Sequence, residues 1–423
     1  MHGVGTIANI FQSLAINSRA ASRIVLFIAM AFVLSSCAAI KAINMVRGGA
    51  AYGDQNEEST VPFSLHGHLL LVKVRLNDDE RERIFFVDTG ALTVINKTLA
   101  DTMHFTSDVH ITGKDTSGHN KETRLVEVES LRIGDMEVKG CAAAIFDFAL
   151  IERAMGLQVD GIIGSNVLRF FTVTIDYKRK IITLSQNKQS RTGGKYRVPF
   201  KQDMTVGFAP IVEATIDDKY TVQVIIDTGY DGYFAAVPKS LLAKLKRPTR
   251  AVKGISTGGA FGVATEGELA RLKSFELGKA LRIPNVPVES TKMDKALLGK
   301  QFLDKFIVTI NYLSNELTLD PIEENVRFKD NIFSTGLRVM YDEQNRAKVI
   351  GIEQGSPADK HGIRLEDEVV QINGKPVNSY SVPELIEKLV LNDEIKRLEL
   401  VIKREGTEQS IVLEKTYVFE QPR

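Results

Sequence analysis

Two short stretches of this chain place an acid, a hydroxyl and a glycine in the same order: Asp88-Thr89-Gly90 and Asp227-Thr228-Gly229. Each follows an apolar run, Ile84-Phe85-Phe86-Val87 in the first and Val224-Ile225-Ile226 in the second. Such a stretch reads as a buried strand that delivers a carboxylate to a tight turn. Two carboxylates held about 3 Å apart cannot both ionise readily, so the pair keeps one proton between them. The ionised member can then take a proton from water while the protonated member donates to a carbonyl oxygen. Water would attack an amide with no covalent intermediate and no metal. The glycine lets the backbone turn and approach a partner. The threonine hydroxyl is suited to bond across to the opposing backbone and lock two such turns together.

Whether the two aspartates share one site depends on the elements that carry them, and the chain repeats those elements. Asp88 to Gly164 spans 76 residues and Asp227 to Gly299 spans 72. Gly164 ends Ile162-Ile163-Gly164 and Gly299 ends Leu297-Leu298-Gly299. Twelve residues beyond each glycine lie Asp176 and Asn311, in Val173-Thr174-Ile175-Asp176-Tyr177 and Val308-Thr309-Ile310-Asn311-Tyr312. A Gly-rich loop lies between the anchors in both copies, around Gly118 in the first and Gly258 in the second. Each copy therefore reads as an apolar strand, Asp-Thr-Gly, a Gly-rich hairpin, an apolar-apolar-Gly segment leading into a helix, and a closing hairpin. A repeat kept for packing alone is the competing reading.

Within the first copy, Leu69–Leu76 predicts a strand and Asn96–Ala100 a short helix. Residues 124–128 and 131–138 predict separate strands, and Ser165 or Asn166 is placed to cap a helix. Cys141, in an Ala-rich apolar stretch, reads as a small buried thiol.

The 423 residues suffice for two or three domains with sizeable cores. Charge is balanced, 54 Lys+Arg against 53 Asp+Glu, which gives no electrostatic case for nucleic acid. The two cysteines and seven histidines show no zinc spacing, and no Walker loop or Asp-x-Asp metal loop occurs. No metal or other cofactor is expected.

Near the N-terminus, Arg19 and Arg23 precede an apolar run, Ile24–Leu34. At about ten residues it falls short of the roughly 20 that span a bilayer, and it matches the core of an export signal. It ends in Leu34-Ser35-Ser36-Cys37, which resembles the bacterial lipoprotein signal. That resemblance implies cleavage before Cys37, lipidation of Cys37, and a cell-envelope protein. Ala38, rather than Asp, then favours the outer membrane, with the chain facing the periplasm. Residues 38–62 are small and polar and read as a tether.

The two copies, residues 63–190 and 195–320, resemble the lobes of retropepsin-type aspartic proteases, including bacterial members. The resemblance implies a mainly β, bilobal acid protease fold with a flap over a peptide cleft. Asp88 and Asp227 would be the catalytic pair. Thr89, Gly90, Thr228, Gly229, Gly164 and Gly299 would support them, and Gly118 and Gly258 would mark flaps. Ala91 after Gly90 fits the family, whereas Tyr230-Asp231 after Gly229 departs from it and puts substrate binding by the second lobe in question. Pairing of lobes between chains is a further possibility; equal copies in one chain make pairing within it simpler.

Pro321–Asn331 is charged and reads as a linker. Beyond it, Ser356 and Pro357 are placed to start a short helix, Asn373-Gly374 makes a hairpin turn, and 381–391 has an amphipathic helical pattern. Gly355-Ser356-Pro357-Ala358 and Ile372-Asn373-Gly374 resemble a PDZ domain, small and α+β, over 330–417. Glu366-Asp367 stands where that family usually has Gly-Asp. A PDZ groove adds a peptide terminus or internal strand to a sheet edge, and Gly336, Leu337 and Val339 are the candidates for it. The combined expectation is a lipid-anchored aspartic endopeptidase acting on polypeptides. The alternative is a peptide-binding lipoprotein with inactive lobes. The sequence does not set the oligomeric state.

Overall fold

The computed structural model describes residues 39–53, 58–115, 117–188, 194–258, 262–386, 388–389 and 392–420. The signal segment and Cys37 lie outside them. The fold is mainly β, with two lobes followed by a small α+β domain.

In the first lobe, strand Asp79–Asp88 runs antiparallel to Leu69–Leu76 on one side and parallel to Gly161–Gly164 on the other. The register sets Gly164 beside Asp88. The apolar residues of these three strands fill the core because nearly all are enclosed on both faces. In the second lobe, Tyr220–Ile226 pairs parallel with Ala296–Leu298 and antiparallel with Ala209–Ile216. The apolar-apolar-Gly segment therefore forms a strand alongside each Asp-Thr-Gly turn before its helix begins.

The closing hairpins join the lobes. Thr172–Asp176 pairs antiparallel with Phe306–Asn311 at the centre of a six-stranded sheet, with Thr174 opposite Thr309. The two threonine hydroxyls meet at 3.1 Å. Residues of both lobes belong to one continuous hydrophobic core.

Three expectations need correction. Residues 39–62 are not a free tether where described. Residues 39–47 are helical, Ala50–Tyr52 pairs with Met136–Phe146, and Glu58–Pro62 pairs with Ile181–Ser185. Backbone pairing does not require apolar side chains, so the composition concealed it. Residues 124–128 and 131–138 are not separate strands. They belong to one long hairpin, Asn120–Ile133 and Met136–Phe146, that turns at Gly134 with φ of +58°. Ser165 and Asn166 do not cap the helix Ser165–Leu168; Gly164 occupies the cap position and both side chains serve the site. The linker lacks regular structure as a whole, yet Phe328 anchors it by stacking on Phe302 at 5.6 Å.

In the C-terminal domain, Ser356 caps Pro357–Lys360 by accepting from Asp359 N, and Asn373-Gly374 turns with both φ positive. Glu366 has φ of +70°, the left-handed region that the glycine of the family pattern adopts readily. The domain is not a separate sheet. Strand Ala347–Glu353 pairs with Thr249–Gly258 of the second lobe, so one 14-stranded sheet runs through both.

Candidate active site

The two Asp-Thr-Gly turns of one chain meet at the lobe interface. Thr89 Oγ1 donates to Ile226 O at 2.6 Å, and Thr228 Oγ1 donates to Val87 O at 2.8 Å. Each hydroxyl also accepts the other threonine's backbone N–H, at 3.1 Å in both directions. Four buried bonds thus tie the turns together with near two-fold symmetry. Both threonines are fully buried, so breaking any of these bonds strands a polar group.

Each carboxyl lies against the opposing glycine. A Cβ on Gly90 would stand 2.7 Å from Asp227 Cγ, and one on Gly229 would stand 2.5 Å from Asp88 Oδ2. Any larger residue at either position would push the carboxyls apart. Gly90 N donates to Asp88 Oδ1 at 2.8 Å and Gly229 N to Asp227 Oδ1 at 2.9 Å. These bonds fix one oxygen of each acid, and the two carboxyls hydrogen-bond to each other.

Burial raises both acids above the ordinary carboxylate range. Asp227 is raised well above it, by burial first and then by the adjacent charge of Asp88. For Asp88 the rise from burial is opposed by the Gly90 N–H, by its bond to Asp227 and by His68. The pair therefore holds one proton between its two carboxyls, with Asp227 the more strongly raised member.

Gly164 and Gly299 support the turns differently. A Cβ on Gly164 would collide with the Leu92–Thr93 backbone at 2.3 Å, and one on Gly299 with Tyr230 O at 2.1 Å. Beneath the first turn, Ser165 Oγ donates to Thr89 O and also meets Tyr312 OH, both at 2.7 Å. Asn166 Oδ1 accepts from Thr93 N at 2.7 Å. The repeat did not mark Ser165, because Lys300 fills its place in the second lobe and pairs with Asp304 at 2.8 Å.

His68 carried no sequence signal. It is buried at the start of Leu69–Leu76, and its Nδ1 lies 2.9 Å from Asp231 Oδ2 across the lobe interface. Tyr230 OH donates to the buried Glu289 at 2.8 Å. The Tyr230-Asp231 departure is thus built into contacts, one residue reaching across the lobes and the other into the second lobe.

The flap candidates both fall on hairpins. Gly118, φ +85°, lies at the tip between His110–Lys114 and Asn120–Ile133, against the Lys292 side chain. Gly258 ends Thr249–Gly258 with open space around it. The two hairpins approach each other, since a Cβ on Gly262 would stand 3.0 Å from His119 Nδ1. Gly254-Ile255-Ser256-Thr257-Gly258 also has the Gly-x-Ser-x-Gly spacing of a serine nucleophile. Ser256, however, lies buried within a strand and donates to Ala264 O at 3.0 Å, so it lacks the exposed strand-to-helix turn that such a nucleophile needs.

Gly336, Leu337 and Val339 sit on or beside strand Leu337–Tyr341, which among the described residues pairs only with Ala347–Glu353. Its other edge faces helix Val382–Ile386, as a peptide groove requires. First-lobe helix Ala149–Met155 packs on both groove elements. Arg153 of that helix pairs with Glu343 at 2.7 Å, and Gly156 abuts Val382. Cys141 is free and fully buried, with its thiol pushed up to about 12 by burial.

Residues 72–167 and 212–302 match the aspartyl protease family, and residues 326–414 match the PDZ domain. Those residues thus form two lobes of retropepsin-like aspartyl protease type and a C-terminal PDZ domain. No curated protein matches it. Among solved structures, the photosystem II D1 C-terminal processing protease is 24% identical over 22% of this chain, with a TM-score of 0.19. The match spans a quarter of that protease, 25% of its length.

Proposed function

We propose that the chain is an aspartic endopeptidase that cleaves polypeptides with Asp88 and Asp227, and that it is held at the cell envelope through a lipid on Cys37. The observation that carries the catalytic reading is the mutual fit of the turns, with each carboxyl seated against the other lobe's glycine and both turns tied by Thr89 and Thr228. The Asp88 carboxylate takes a proton from water as the water oxygen attacks the scissile carbonyl carbon. The Asp227 carboxyl gives its proton to the carbonyl oxygen, leaving a neutral tetrahedral diol. Proton transfer to the amide nitrogen then lets the C–N bond break. The PDZ domain supplies peptide binding, through the edge of Leu337–Tyr341.

The test is hydrolysis of unfolded casein between pH 4 and pH 8 by the purified chain. Asp88→Asn and Asp227→Asn should each lower kcat by about 10⁴-fold, the scale on which removing a catalytic carboxylate acts. Full activity in either folded variant would leave the peptide-binding alternative. Labelling of the cysteine with radioactive palmitate, lost in Cys37→Ala, tests the anchor.

A further inference from the structure

Three ionisable side chains lie at the junction of the second lobe and the PDZ domain and take no part in the chemistry above. Glu289 and Glu353 are buried, and Arg338 stands between the domains. Arg338 belongs to the PDZ strand Leu337–Tyr341, yet its guanidinium points into the protease. Nη1 donates to Ser256 O on the second hairpin, and Nη2 lies 4.0 Å from Glu289 Oε2.

We infer that Arg338 is a positioning residue for the protease reaction, supplied by the PDZ domain and acting on Asp227 through Glu289 and Tyr230. The inference rests on the aspartic endopeptidase reading. Glu289 Oε1 accepts the Tyr230 hydroxyl at 2.8 Å. Tyr230 follows the Asp-Thr-Gly turn directly; its N–H donates to Asp227 O at 3.3 Å and its amide also favours the Asp227 carboxylate. Gly232 makes room for this arrangement, since a Cβ there would stand 2.0 Å from Glu289 Oε1.

A second link joins the same loop to the PDZ domain. Tyr233 OH donates to Glu353 Oε1 at 3.2 Å, and Glu353 Oε2 accepts from Ser334 Oγ at 3.0 Å. Ser334 Oγ in turn accepts from Gly336 N at 3.1 Å, at the candidate peptide-carboxylate loop. Residues 230–233, which follow the second Asp-Thr-Gly turn, are therefore held by the PDZ domain directly at Tyr233, through Glu353, and indirectly at Tyr230, through Glu289 and Arg338.

The energetics explain why a cation is needed. A buried carboxylate without a counter-charge takes up a proton or leaves its site. Burial pushes Glu289 upward, and Arg338 is the leading influence that pulls it back. With Arg338 present, Glu289 is a strong acceptor for Tyr230 OH. Without it, burial acts on Glu289 with its main opposing charge gone, the carboxyl is pushed further toward its neutral form, the bond to Tyr230 weakens, and the loop beside Asp227 slackens. A domain serving only as a spacer would not place a largely buried guanidinium here.

The test compares the full chain carrying Arg338→Met, Arg338→Lys and the double change Arg338→Met with Glu289→Gln. Steady-state hydrolysis of fluorescence-quenched casein is measured beside melting temperature and amide exchange of residues 230–233. Arg338→Met should lower kcat by about tenfold with KM within about twofold, the pattern of an interaction felt in the transition state. Arg338→Lys should recover part of kcat. The double variant should recover most of it, because no lone buried carboxylate remains. Exchange at 230–233 should quicken in Arg338→Met alone.

A wild-type kcat in folded Arg338→Met, a fall in melting temperature with kcat unchanged, or an effect confined to KM would each overturn the inference. If Arg338→Met does not fold, Arg338→Lys decides: a lowered kcat with KM within about twofold supports the inference, and a wild-type kcat overturns it. Asp227→Asn runs in parallel. Its activity would sink the protease reading, whereas unchanged exchange at 230–233 would sink only the role of Arg338.

Discussion

The two lobes share one plan and differ beneath their Asp-Thr-Gly turns. Under the first, Ser165 links Thr89 O to Tyr312 OH. Under the second, Lys300 replaces that serine and turns away to Asp304. Tyr177, the counterpart of Tyr312 thirteen residues beyond the lobe glycine, is left with a buried hydroxyl that has no hydrogen-bond partner. The second turn is supported instead by His68 of the first lobe on Asp231, by Glu289 of its own lobe on Tyr230, and by Glu353 of the PDZ domain on Tyr233. Symmetry is thus strict at the threonines and glycines, where the two halves touch. It is relaxed one layer away, where each acid can be given its own role.

The strongest way to sharpen that contrast is at the threonines. Thr228→Ala removes one donor and one acceptor from the buried grip, and Thr89→Ala removes their symmetric equivalents. Each should cost about 2–4 kcal/mol of stability, equally for the two lobes, by urea denaturation. Unequal losses would show that the symmetry is only apparent.

The acids should differ with pH. Asp227 has a raised value in the folded chain, so its proton is retained there after the unfolded chain has lost it. Stability attributable to this group is full below the unfolded value near 3.8 and falls as pH rises through the folded value. Asp227→Asn cannot ionise. Its melting temperature should match the wild type most closely near pH 3 and exceed it increasingly toward pH 8, each unit of the rise being worth about 1.4 kcal/mol. Wild-type activity should fall over the same upper range as the shared proton leaves. A constant gap in melting temperature from pH 3 to pH 8 would contradict the assignment of the proton to Asp227.

The smallest effects belong to the tyrosines. Tyr312→Phe deprives Ser165 of a partner and should destabilise by about 1 kcal/mol, whereas Tyr177→Phe removes an unpartnered buried hydroxyl and should be neutral or stabilising. Equal losses in the two variants, read by thermal denaturation, would mean that the lobes are supported alike.

The repeat made the candidate active site legible. Asp88, Asp227, their threonines and the glycines at 164 and 299 recur at matched spacing because each copy must build the same turn. Side chains that act once are not repeated, so His68, Ser165, Glu289 and Arg338 left no pattern. Arg338 even looked like an ordinary outward position of an alternating strand, Leu337-Arg338-Val339. The strands within 39–62 escaped for another reason, since their partners lie more than eighty residues further on in the chain and their contribution is mostly backbone. Glu366 was visible as a departure from Gly-Asp, but its left-handed backbone could be recognised only from coordinates.

The helix Ala149–Met155 has a consequence for any ligand of the PDZ groove. It covers the edge of Leu337–Tyr341 without completing its ladder, because among the described residues no backbone bond joins the two. If a peptide adds as a strand at that edge, it gains those bonds only by displacing the helix. The concentration needed for half-saturation then exceeds the groove's intrinsic constant by the inverse of the fraction of chains in which the helix is already raised. Ligand affinity in the intact chain would then depend on the first lobe as much as on the PDZ domain.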